Sequence, residues 1–257
     1  MRISANLGFL YRDLPLPKAI LAAACDGFDA VECHFPYAEN AVAVKAALEE
    51  CGLPMVSLNT VSGSFQAGEF GLAALPDRME EARAAIVQAI EYADKIGAKN
   101  VHVMAGKTGD KDLAEQVYRE NLDFACKTAV GREVGILIEP INHRSVPGYH
   151  LSTVEHAAGI IKDLGHDNLR LMFDCYHVQI MQGDLIERIH SNLHILGHVQ
   201  IAAVPDRGEP NRGEISFPGI LEALRDMGYS GAIGAEYLPR DGSSRRDLGW
   251  LEALKAI

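Results

Sequence analysis

Short apolar runs alternate with helix-period stripes along this chain. Eight runs have the length and character of strands: residues 3–7, 30–33, 55–59, 100–104, 135–139, 169–174, 198–201 and 232–236. Some, such as Gly135-Ile136-Leu137-Ile138, are apolar almost without a break, as parallel strands buried on both faces are. Between the runs the period changes. Met79, Ala82, Ile86, Ile90 and Ala93 recur every three or four residues, and Gly97 follows as a helix stop. Ala41, Val44, Leu48 and Cys51 make a second stripe, ended by Gly52 and Pro54. Asp77 with Glu80, and Ser152 with Glu155, have capping-box spacing and mark two helix starts. Strict alternation over eight units predicts an α/β fold, a (β/α)8 barrel made by residues 1–257 as one domain. No G-x-G-x-x-G follows the first run, which disfavours an open dinucleotide-binding sheet.

A barrel gives the strand ends a meaning, because active sites of this fold lie at the C-terminal mouth. Four successive runs end in a side chain able to ligate a metal: Glu139, Asp174, Gln200 and Glu236, spaced 35, 26 and 36 residues apart. Each gap fits one βα unit. Three carboxylates in one mouth repel one another and are costly to bury. One divalent cation removes both problems, and all-oxygen ligation suits Mg²⁺ or Mn²⁺. Other residues join by the same logic. His177 lies just past Asp174, His198 shares a strand face with Gln200, and Lys107 is a cation after the fourth run. Glu32 ends the second run as a supporting partner. The loop Arg207-Gly208-Glu209-Pro210 is placed to close over the mouth.

Composition narrows the function classes. With 48% hydrophobic residues the chain buries a large core unaided, and its net charge of −11 disfavours nucleic acid or any extended polyanion as partner. A small anion held by a few local cations remains compatible. No apolar run is long enough to span a bilayer, so no membrane role is expected. Five cysteines without a C-x-x-C pair read as free thiols of a reducing, cytoplasmic compartment. Self-association into a homo-oligomer stays open. No G-x-x-x-x-G-K-[ST], G-x-S-x-G or H-E-x-x-H occurs.

The strand ends read Ile138-Glu139-Pro140-Ile141-Asn142-His143, then Pro147-Gly148-Tyr149-His150-Leu151 and Phe173-Asp174-Cys175-Tyr176-His177. Gly197-His198-Val199-Gln200-Ile201-Ala202, Arg207-Gly208-Glu209-Pro210 and Gly234-Ala235-Glu236-Tyr237 follow in order. Together these segments resemble the hydroxypyruvate isomerase family. The resemblance implies a xylose-isomerase-like barrel. It implies that Glu139, Asp174, Gln200 and Glu236 hold the metal and that Glu139 and Glu236 also move protons. It further implies that His177 and Arg207 contact substrate; Lys107 and His198 join them from the reading of the strand ends. The implied reaction is isomerisation of a small 2-oxo acid, hydroxypyruvate to tartronate semialdehyde. A longer 2-oxo sugar acid, a ketose 3-epimerase, whose family usually has histidine where Gln200 stands, and a non-catalytic sugar-acid-binding barrel are the alternatives. The sequence departs from the family at residues 62–70, where an Asp-Trp and a later arginine are usual, and at Ala203 and Leu238. These positions border the mouth, so they bear on substrate identity.

Overall fold

A computed structural model describes the chain apart from residues 110, 241 and 243–247, with the backbone alone at 65 and 111. Each apolar run yields a strand and each stripe a helix. The first half runs β1 (Ile3–Asn6), α1 (Leu16–Cys25), β2 (Ala30–Glu32), α2 (Ala41–Cys51), β3 (Ser57–Asn59), α3 (Met79–Ile96), β4 (Asn100–His102) and α4 (Lys111–Thr128). The second half runs β5 (Gly135–Ile138), α5 (Val154–Leu164), β6 (Leu169–Asp174), α6 (Cys175–Met181), α7 (Leu185–Asn192), β7 (Leu196–Ile201), α8 (Phe217–Asp226), β8 (Ile233–Ala235) and α9 (Gly249–Lys255).

The strands form one eight-stranded sheet in the order β2-β1-β8-β7-β6-β5-β4-β3, and each paired neighbour is parallel. Its two outer strands meet through a parallel bridge between Val31 and Met55, with Cys33 N–H donating to Ser57 O at 3.1 Å. The sheet thus closes on itself, the (β/α)8 barrel that strict alternation predicts. Strand interiors such as Val101, Ile136, Leu171, Val199 and Ile233 are fully buried, and the apolar stripes of the helices pack over them.

The helix stops behave as their residues dictate. Gly52 and Gly97 take left-handed φ of 69° and 76° after α2 and α3, a region that costs glycine nothing. The two capping boxes differ from expectation. Pro76 opens a 3-10 turn, Pro76–Arg78, which places Asp77 inside a helical turn and leaves α3 without a side-chain cap. At α5 the extended residue is Thr153 rather than Ser152, and its Oγ1 accepts from His156 N at 3.3 Å. That one-residue shift takes Glu155 out of capping position and pairs it with Gln182 and Arg188. Among the described residues, no helix is long and apolar enough to cross a membrane.

Candidate active site

The strand register brings the four metal-capable side chains to one end of the barrel. A register shift between β6 and β7 at Leu171 and Met172 sets Asp174 opposite Gln200, and Gln200 in turn faces Gly234 of β8. Glu139 and Glu236 directly follow β5 and β8, and all four side chains are buried. A buried polar oxygen without a partner is costly, yet both Glu139 Oε1 and Gln200 Oε1 have no hydrogen-bond partner among the described residues. Asp174 commits Oδ1 to the Tyr176 N–H at 2.8 Å, which leaves Oδ2 facing the mouth groups. These donors fit a hard divalent cation: carboxylate and amide oxygens, held rigidly and partly unsatisfied.

His177 stands beside them, with Nε2 3.5 Å from Asp174 Oδ2 and 3.7 Å from Glu139 Oε1. The donor atoms of Glu139, Asp174 and His177 lie within 4.8 Å of one another. The ring's other nitrogen decides its role. Nδ1 accepts from the Asn142 backbone N–H at 3.2 Å, so a neutral ring carries its proton on Nε2. Burial, reinforced by Arg207, pushes the ring's pKa well down and keeps it neutral. His177 therefore presents an N–H to the mouth, suited to a substrate oxygen rather than to a metal.

Glu32 supports the arrangement from below. Its carboxylate accepts from Asn6 Nδ2 and Gln200 Nε2, both at 2.9 Å, and pairs with His198 Nε2 at 2.5 Å. The bond to Gln200 fixes the amide nitrogen, so the free oxygen is the one left to ligate. Gly234 makes room for this cluster, since a Cβ there would meet Glu32 Oε1 at 2.6 Å and Gln200 Cγ at 2.9 Å.

The mouth opens into a cavity of about 570 Å³ whose wall includes Glu139, Glu236, His177 and Arg207. Arg207 adopts φ 55°, uncommon for a residue with a side chain, and its backbone is held by N–H to Ala203 O at 2.8 Å and by Leu238 N–H to its own carbonyl at 2.7 Å. In that pose Nη2 lies 3.2 Å from Asp174 Oδ2 and 3.0 Å from Glu236 Oε2, while the guanidinium packs over the rings of Phe9 and Tyr176.

The two glutamates sit in opposed environments. Burial lifts the Glu139 carboxyl well above its usual range, and the charges of Glu236 and Asp174 add to the rise. Burial also lifts Asp174, against the pull of Arg207. At Glu236 burial acts in the same sense, but Arg207 and the His34 hydrogen bond outweigh it and hold that carboxyl below its usual range.

The remaining sequence expectations divide. His198 lies buried against Glu32, rather than on the cavity wall where it was expected to meet substrate. Lys107 is exposed and donates to Gly68 O at 2.6 Å, outside the cavity lining, because the turn at Gly106 carries its side chain toward the 62–70 loop. The lining also holds residues that the strand-end pattern leaves unmarked, among them two histidines and an arginine. His34 Nε2 lies 2.9 Å from Glu236 Oε1. His102 is buried with both ring nitrogens lacking hydrogen-bond partners among the described residues, and burial lowers its pKa to about 4. Arg12 is an exposed cation at the cavity. The signal for His34 and His102 was present as imidazoles at or just past a strand end; Arg12, in a loop, carried none.

Comparison with known proteins identifies the family of the barrel. The xylose isomerase-like TIM barrel family matches residues 20–254. The chain is 43% identical over 254 residues to the 2-oxo-tetronate isomerase of Cupriavidus necator, covering 98% of this chain and 97% of that one. It is 35% identical over 255 residues to the hydroxypyruvate isomerase of Escherichia coli strain K12, covering 98% of each. A crystal structure described as an AP endonuclease, family 2, from Brucella melitensis superposes with a TM-score of 0.94 at 35% identity, covering 98% of each chain. Over nearly its full length the chain belongs to the xylose isomerase-like TIM barrel family, among relatives named as isomerases.

Proposed function

We propose that the chain isomerises a small 2-oxo acid, interconverting hydroxypyruvate and tartronate semialdehyde through an enediolate. The observation that carries this reading is the pair Glu139 and Glu236, two buried glutamates on the wall of one cavity that also holds Arg207. Two carboxyls facing one cavity suit a proton acceptor and a proton donor acting on one substrate. In the forward direction one glutamate takes a proton from carbon 3 of hydroxypyruvate. The other delivers a proton to carbon 2, and the hydroxyl proton passes to the former carbonyl oxygen. His177 donates Nε2–H to a substrate oxygen, and Arg207 holds the substrate carboxylate. His34 fixes the carboxylate of Glu236 through its 2.9 Å contact, and Glu32 fixes Gln200.

Glu139, Asp174, Gln200 and Glu236 would hold one divalent ion, Mg²⁺ or Mn²⁺. When bound, it supplies Lewis-acid polarisation of the substrate's carbonyl and hydroxyl oxygens and offsets the enediolate charge.

A four-carbon 2-oxo acid is the second reading, favoured by the 2-oxo-tetronate isomerase name of the Cupriavidus relative and by a cavity of about 570 Å³, ample for more than three carbons. A nucleic-acid substrate is disfavoured by the net charge of −11 and by a mouth rich in carboxylates. A panel of hydroxypyruvate, 2-oxo-tetronate and free ketoses, assayed with Mg²⁺, with Mn²⁺ and after chelation, tests the proposal. Turnover of a 2-oxo acid that chelation abolishes and metal restores is expected. Full activity after exhaustive chelation, or turnover of ketoses alone, contradicts it.

A further inference from the structure

Away from the mouth, on the outer helical layer, one carboxylate oxygen meets two imidazoles. Glu115 on α4 directs Oε2 to His150 Nε2 at 2.9 Å and to His156 Nε2 at 2.7 Å. His150 lies in the segment between β5 and α5, and His156 in the first turn of α5, so three separate pieces of chain converge on one point. Their donor atoms lie within 4.8 Å of one another, and none of the three residues lines the mouth cavity. We propose that Glu115, His150 and His156 form a second metal-binding site, selective for a borderline transition metal such as Zn²⁺.

Three features favour this over a simple hydrogen-bonded cluster. Two imidazole nitrogens and one carboxylate are the donor set of many open zinc sites, with donors about 2.0–2.2 Å from the ion. The carboxylate is oriented from its other side, because Arg119 Nε donates to Oε1 at 2.6 Å and leaves Oε2 to the imidazoles. The charge of Arg119 is shared with Asp163 at 3.0 Å, so Glu115 is not its only counter-charge. Burial is graded as an open site requires. The side chain of His150 is only 4% exposed and packs edge-on against Tyr118, whereas His156 is 32% exposed and leaves an approach for the ion and a fourth, solvent ligand. An ion here would tie α4 to α5 and to the segment that leads from Glu139 into α5.

Metal analysis after equilibrium dialysis of the tag-free protein against Zn²⁺ tests the proposal. The wild type is expected to bind one more Zn²⁺ per chain than His156→Gln or Glu115→Gln, with micromolar or tighter affinity. Asp174→Ala, altered only at the mouth, should keep that ion. With Zn²⁺ at about a hundredfold over Kd the wild-type Tm should rise by roughly 5–10 °C, and the outer-site variants should lack that increment. Co²⁺ in the same site should give the intense visible absorption of a tetrahedral ion, lost in the same two variants. Zn²⁺ counts that are equal in wild type, His156→Gln and Glu115→Gln would overturn the site. So would Asp174→Ala that binds no Zn²⁺ at all, a result that needs neither outer-site variant to fold.

Discussion

At the scale of single residues, the charges that face the cavity matter most. Arg207 does, and a charge-assisted hydrogen bond to a carboxylate is worth roughly 1.5–3 kcal/mol. Arg207→Met should therefore raise KM for a 2-oxo acid about ten- to hundredfold. Lys107, which reaches Gly68 instead, offers a contrast: Lys107→Met should leave KM close to the wild-type value. Steady-state kinetics of both variants on one substrate checks this, and an equal rise in both would place the 62–70 loop over the substrate. The glutamates are the second test. Glu139→Gln and Glu236→Gln each keep an oxygen able to ligate but lose the capacity to accept a proton, so turnover should fall about 10²–10⁴-fold while metal binding is partly retained. Near-normal kcat in either variant would reduce that glutamate to a ligand.

Elements position these residues through close approach as much as through bonding. Gly234 on β8 is the clearest case, since a side chain there collides with both Glu32 and Gln200. Gly234→Ala should keep the circular dichroism of the wild type and lose metal affinity, measured by titration calorimetry. Unchanged affinity would mean that Gln200 is not a ligand. At α5 the cap lies one residue from its predicted place, and Thr153→Ala should cost about 1 kcal/mol, read as a fall in Tm of about 2–4 °C. Such details mark the limit of what the sequence reveals. Strands and helices were legible because their periods differ, and the four strand-end positions that meet at the mouth because each ends or follows an apolar run. The caps were not, because Pro76 and the extended backbone at Thr153 decide them locally. Lys107 misled because a strand end fixes where a residue leaves the barrel but not where the following turn points a long side chain. His34 and His102 escaped notice because nothing in a lone imidazole separates a cavity wall from a satisfied core until the neighbouring strands are in place.

For the whole molecule, barrel closure turns distant sequence positions into one mouth. Asn6, Glu32, Glu139, Asp174, Gln200 and Glu236 come from six strands or strand ends and share one cluster of hydrogen bonds and charges. In a chain of net charge −11, Arg207 is a partly buried positive charge facing that cluster, paired with Asp174 and Glu236. Proton transfer between adjacent carbons by Glu139 and Glu236 is the proposed chemistry. Running the isomerisation of hydroxypyruvate in D₂O and following the product by NMR tests it. Solvent deuterium is expected at carbon 2 of tartronate semialdehyde, at a rate that collapses in Glu139→Gln and Glu236→Gln. Product formed at the wild-type rate with no deuterium at that carbon would contradict it.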